Sequence, residues 1–130
     1  MMKRHYHLRD NEEPIPALYV ELTRPGDKEP FLKDVLAPLD TGAPLTAIPS
    51  KYKDAASLKP HDFTPVRHGG YYEDRCPMYL ARVIAEDCKP QTVDVIFLPT
   101  LQQPVIGRNL MRYWHTILDG PEGILEITES

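Results

Sequence analysis

Leu39-Asp40-Thr41-Gly42-Ala43 is the stretch on which the reading of this 130-residue chain turns. An acidic residue is followed by a small hydroxyl residue and a glycine, in a loop between apolar segments. Glycine at position 42 lets the backbone turn tightly beside the carboxylate. Taken alone, the tripeptide also suits an ordinary turn. On the N-terminal side, residues 31–39 (FLKDVLAPL) read as a strand. Before them, residues 17–23 (ALYVELT) read as another, with Leu18, Val20 and Leu22 on one face at period two. Arg24-Pro25-Gly26-Asp27 between them is a turn signal, which predicts a hairpin over 17–39. On the C-terminal side, residues 40–50 (DTGAPLTAIPS) run into a short apolar strand. One or two helical turns are predicted over 51–58, stopped before Pro60.

Farther out, residues 63–68, Gly69-Gly70 and the segment from Tyr71 onward read as a strand, a flexible turn and a returning strand. Residues 78–85 (MYLARVIA) and 92–98 (TVDVIFL) are further strands. Residues 107–114 (GRNLMRYW) predict a helix of about two turns, with Leu110 and Trp114 four apart on one face. Residues 115–118 and 124–127 flank a turn over 119–123. Fourteen prolines are scattered along the chain, which leaves room for strands but little for long helices.

Composition narrows the class. Hydrophobic residues make up 42% and charged residues 26%, which suits one globular domain. The net charge of −4 leaves no basic excess for a phosphate backbone, so nucleic acid is not an expected partner. No apolar run approaches the ~18 residues of a membrane helix, so no membrane is expected either. Residues 1–13 are polar and charged. They read as a solvated tail without a secretory signal, leaving 14–130 as the domain. Two cysteines, Cys76 and Cys88, are too few for a disulfide scaffold and are expected to be reduced thiols in a cytoplasmic protein.

A second segment, Val105-Ile106-Gly107-Arg108-Asn109-Leu110-Met111, shifts the reading of Asp40. Two apolar residues, a glycine and a helix form a strand-to-helix junction. The pair of segments, D-T-G-A followed by I-G-R-N-L, resembles the retroviral-type aspartic proteases, the retropepsins, in order and spacing over residues 17–127. The resemblance implies an all-β, closed retropepsin-like barrel with one short C-terminal helix. It implies that Asp40 is the catalytic aspartate and that Thr41 hydrogen-bonds the partner's loop across a dimer axis. Gly42 and Ala43 would complete the loop against the substrate backbone. Ile106 and Gly107 would support the loop from behind, and Arg108 would be the arginine that starts the helix. A glycine-tipped flap is also implied; Gly69-Gly70, with His68 beside it, is the candidate, and an ordinary hairpin turn is the alternative. Two departures stand out. Pro44 occupies the position where retroviral members carry an aspartate that pairs with the arginine. The polar N-terminus also does not resemble their short interface strand. A cellular or bacterial relative is therefore expected.

Aspartic protease chemistry needs two carboxylates that share one proton. This chain has a single D-T-G loop, and its other aspartates lie in no similar setting. The second carboxylate must come from a second chain in a two-fold homodimer. The expected function is peptide-bond hydrolysis, with a peptide or protein as substrate and no metal or other cofactor. The alternative is a catalytically inactive dimeric peptide-binding or assembly module. Other candidate sites are plain. His5 and His7 lack a third metal ligand, and Cys76 and Cys88 lack zinc-ligand spacing. Trp114 is expected in the core, and one of Tyr71 and Tyr72 should face it.

Overall fold

The computed structural model describes residues 1–8 and 12–129. In order, the elements are β1 (Met2–His5), β2 (Ala17–Thr23), β3 (Pro30–Pro38) and β4 (Thr46–Pro49), then a 3-10 turn (Ser50–Tyr52) leading into α1 (Lys53–Ala56). They continue with β5 (Asp62–His68), β6 (Tyr71–Ala85), β7 (Gln91–Leu98), α2 (Arg108–Met111), β8 (Trp114–Asp119) and β9 (Ile124–Glu129). No helix among the described residues is long and apolar enough to cross a membrane.

The first hairpin follows from its sequence. Leu18, Val20 and Leu22 alternate and are buried along β2. The turn is closed by the Asp27 N–H donating to the Arg24 carbonyl at 3.0 Å, and Gly26 takes a left-handed φ of 88°. The main sheet runs β3-β2-β6-β7-β4, with β5 added on β6. Its pairings are antiparallel except β4 with β7, which run parallel. A second sheet runs β1-β9-β8. Leu18, Leu22, Ile48, Val83, Val95, Ile106, Leu110, Leu125 and Ile127 are fully enclosed between these layers. Each such aliphatic side chain contributes about 1.5–3 kcal/mol on leaving water. A smaller cluster of Ala47, Cys76, Ile96 and Leu98 packs against Val66, Tyr71 and Met78 of the β5–β6 hairpin.

Three elements differ from expectation. Residues 1–13 are not simply a solvated tail: Met2–His5 is a strand in register with β9, pairing Met2 with Ile127 and His5 with Ile124. Met2 is buried, Lys3 meets Glu126, and Arg4 meets Glu86 and Asp87. The polar composition that suggested solvent thus belongs to a charged sheet edge, and the folded unit begins before residue 14. Residues 9–11 of that segment lie outside the described residues. The helix expected over 107–114 stops at Met111, and Trp114 opens β8 opposite Glu129. Its indole is still buried against the core, but from a strand. Finally, the segments from Tyr71 onward and over 78–85 are one strand of 15 residues that changes partners part-way.

Candidate active site

The Asp40 loop is built by the backbone of residues 105–109. Ile106 is fully buried and bridges Leu39 in parallel, while Val105 bridges Ala47 antiparallel. The Asp40 N–H donates to the Ile106 carbonyl at 2.9 Å, and the Ile106 N–H donates to the Pro38 carbonyl at 2.8 Å. The segment is therefore wedged between the end of β3 and the start of β4, directly behind the loop. The first amides of α2 then grip the loop from its far side. Arg108 N–H donates to the Ala43 carbonyl at 2.8 Å and Asn109 N–H to the Pro44 carbonyl at 3.2 Å.

Gly107 is required sterically at this junction. A Cβ there would lie 2.3 Å from the Leu45 carbonyl carbon, 2.4 Å from its oxygen and 2.6 Å from the Thr46 nitrogen. All three are backbone atoms, which cannot step aside as a side chain can. Within the loop, the Gly42 N–H donates to Asp40 Oδ1 at 2.9 Å and fixes the carboxylate orientation, and the Ala43 N–H donates to the Asp40 carbonyl at 3.1 Å.

Arg108 has a partner despite Pro44. Its Nη1 donates to the Thr41 carbonyl at 2.8 Å, so the guanidinium braces the loop through main chain instead of a carboxylate. Asn109 was not singled out in the sequence as a site residue, yet it ties three segments together. Its Oδ1 accepts from both the N–H and the hydroxyl of Thr46 at 2.9 Å, and its Nδ2 donates to the Asp94 carbonyl at 2.7 Å. The Thr46 hydroxyl also accepts from the Gly107 N–H at 3.2 Å. A polar threonine in an otherwise apolar four-residue strand was the available signal.

Asp40, Gly42 and Ala43 form one side of a cleft of about 450 Å3. Arg67 and His68 also line it, and Ile96, Leu98 and Val105 give it apolar walls. Gly69 and Gly70 are the two-residue tip of the β5–β6 hairpin, between the paired His68 and Tyr71. The hairpin end is anchored by a 3.2 Å contact of His68 Nδ1 with Thr100 Oγ1. Asp94, also in the lining, pairs with His61. Tyr71 is half-buried and Tyr72 exposed. The Tyr71 hydroxyl donates to Glu73 at 2.6 Å, and that carboxylate pushes its pKa up to about 12. Burial, with the Glu73 charge, pushes the nearby Cys76 thiol up to about 11. Both cysteines are buried and unbridged. Among the described residues no group of three or more His, Cys, Asp or Glu side chains converges as a metal site would.

Compared with solved structures, the chain is similar to a retropepsin-like aspartic protease from Rickettsia conorii, with a TM-score of 0.61 at 15% identity over 97% of this chain and 90% of that one. It is similar to the EIAV protease, with a TM-score of 0.53 at 13% identity over 81% of this chain and 92% of that one. The chain has the retropepsin fold. The simian foamy virus protease gives the same TM-score of 0.53 at 13% identity, over 75% of this chain and 92% of that one. No protein-family model and no curated protein matches the sequence. The fold expected from D-T-G-A and I-G-R-N-L is thus the fold the chain adopts. Within the retropepsin fold, the Asp40 loop, the wedge at 105–107 and the β5–β6 hairpin all border one cleft.

Proposed function

We propose that this chain is an aspartic endopeptidase whose catalytic dyad is Asp40 of one copy and Asp40 of a second. The observation that carries the reading is the carboxylate itself. It is held by the Gly42 N–H at the edge of an apolar-walled cleft, on a loop braced by Arg108 and the 105–107 wedge. A peptide lying extended between the loop and the β5–β6 hairpin would present its carbonyl to the dyad and its apolar side chains to Ile96, Leu98 and Val105. One ionised carboxylate takes a proton from water as the water oxygen attacks the carbonyl carbon. The other, protonated, donates to the carbonyl oxygen. Collapse of the tetrahedral diol breaks the C–N bond and protonates the leaving nitrogen. The dyad is left with its one shared proton.

The competing reading is an inactive peptide-binding module, motivated by Pro44. The Arg108–Thr41 bond weighs against it, because the loop keeps its brace without the missing carboxylate. The test is a peptide-library cleavage assay on wild type and Asp40→Asn, with and without a pepstatin-type inhibitor. Wild type should cleave, the inhibitor should block it, and Asp40→Asn should be inactive while folded. Full activity in Asp40→Asn, or none in wild type, would end the protease reading.

A further inference from the structure

Side chains alternate along β7. Val93, Val95 and Phe97 enter the main core, whereas Asp94, Ile96 and Leu98 line the cleft. The wall that β7 gives the cleft therefore reads acid, apolar, apolar. The parallel register of β4 with β7 pairs Thr46 with Val95 and Ala47 with Ile96. Asp94 is thus level with Leu45, at the end of the wall next to the Asp40 loop. Its backbone is fixed, because its carbonyl accepts from Asn109 Nδ2 at 2.7 Å. One carboxylate oxygen, Oδ1, lies 2.5 Å from His61 Nε2. The His61 N–H donates to the Met78 carbonyl at 2.9 Å, at the foot of the β5–β6 hairpin. The second oxygen, Oδ2, has no hydrogen-bond partner among the described residues, and no lysine or arginine there pairs with Asp94. Arg67 does not supply that charge. It stands opposite Tyr72 in the hairpin register, with its guanidinium over the Tyr72 ring at 5.3 Å. Tyr72 is 55% exposed, so this cation belongs to the outer face of the hairpin. His68 is engaged with Thr100.

We infer that Asp94 sets the charge preference of the cleft: it takes a lysine or arginine side chain of the peptide, at a position flanking the apolar residues around the scissile bond. The inference rests on the endopeptidase reading and names its substrate class. An ammonium or guanidinium at Oδ2 completes the hydrogen bonds of the carboxylate and leaves the His61 contact in place. The aliphatic stem of that side chain lies along Leu45 and Ile96, which also line the cleft. A glutamate at the same position meets a like charge in partly desolvated surroundings and is disfavoured. His61 is a positioning residue, which holds the carboxylate at the foot of the hairpin. Asp40, the other carboxylate on the cleft, is committed to the dyad. In the dimer a second copy repeats the subsite, so a basic residue is favoured on either side of the cut.

The test uses the full chain and peptides with a fixed apolar centre and one lysine or glutamate placed at each outer position in turn. Within each protein the ratio of kcat/KM for the lysine peptide to that for the glutamate peptide is read, so a general loss of activity or stability cancels. Wild type should favour lysine about tenfold at the best position. Raising salt from about 50 to about 500 mM should shrink that ratio toward one. Asp94→Asn should bring the ratio close to one, and Asp94→Lys should invert it. The salt response needs no variant and decides the matter even where neither variant folds. Binding of the same peptides to Asp40→Asn, read by fluorescence anisotropy, should follow the same order without cleavage. A wild-type ratio near one, a lysine preference indifferent to salt, or one that survives both substitutions overturns the inference. Charge-ordered binding by a protein that cleaves no peptide removes the protease reading alone. Cleavage with no charge order removes the Asp94 assignment alone.

Discussion

Two glycines near Asp40 constrain different things. At Gly107 the obstacle to a methyl group is the Leu45–Thr46 backbone at 2.3–2.6 Å. Gly107→Ala must separate the 105–107 wedge from β4, and should cost on the order of 3 kcal/mol or more in urea unfolding. At Gly42 the nearest atom to an added Cβ is Asp40 Oδ1 at 3.2 Å, and no backbone stands in the way. Gly42→Ala should change unfolding free energy by about 1 kcal/mol or less. It should nevertheless lower peptidase activity well beyond that, because it displaces the carboxylate that the Gly42 N–H orients. Equal losses of stability and activity in the two variants would contradict this separation.

At the scale of elements, α2 is too short to hold position by its own hydrogen bonds. Asn109 anchors it to β4 and β7. Asn109→Leu keeps similar volume but leaves the Thr46 amide, the Thr46 hydroxyl and the Asp94 carbonyl without these partners. The expected loss is about 2–4 kcal/mol, read by thermal or urea unfolding. The hairpin β2–β3 was legible because period-two burial and an Arg-Pro-Gly-Asp turn agree. Strand β1 was not, because three of its four residues are charged or polar and only Met2 marks an inward face. The helix over 107–114 was overextended because Leu110 and Trp114, four apart, satisfy a helical pattern and are both buried, yet the second sits in a strand. The Asp40 loop and the two-glycine hairpin tip could be located in the sequence. The partner of Arg108 could not, since a main-chain carbonyl leaves no mark on residue type.

Across the whole molecule, alkaline pH should be the weak side. Burial, followed by the charges of Glu129, Glu86 and Asp87, pushes the Cys88 thiol up to about 11, matching Cys76. Tyr71 stands at about 12. In the unfolded chain the thiols ionise near their ordinary value of 9.0 and the phenol near 10.0. Between about pH 9 and 12 the folded state therefore binds more protons than the unfolded one, and stability falls as pH rises through that window. Urea midpoints should drop from pH 8 to pH 11, and Cys88→Ala should flatten the drop. A midpoint constant across the window would refute the assignment. The same burial should make both thiols slow to alkylate at pH 8 unless the chain is unfolded.

Strand β6 belongs to two neighbourhoods without a loop between them. Its first half, as far as Met78, pairs only with β5 in the hairpin over the cleft. Tyr79 to Val83 pair with β7, and Arg82 to Ala85 also pair with β2. One continuous backbone thus passes from a two-stranded arm into the middle of a sheet. The arm can open by a local fluctuation, whereas the far end is released only when the main core comes apart. Opening free energies should therefore rise along a single strand, from small values near Tyr72 to the global value near Val83. The arm then opens ahead of the rest of the chain, once its His68–Thr100 contact is released, while its root is as rigid as anything in the protein.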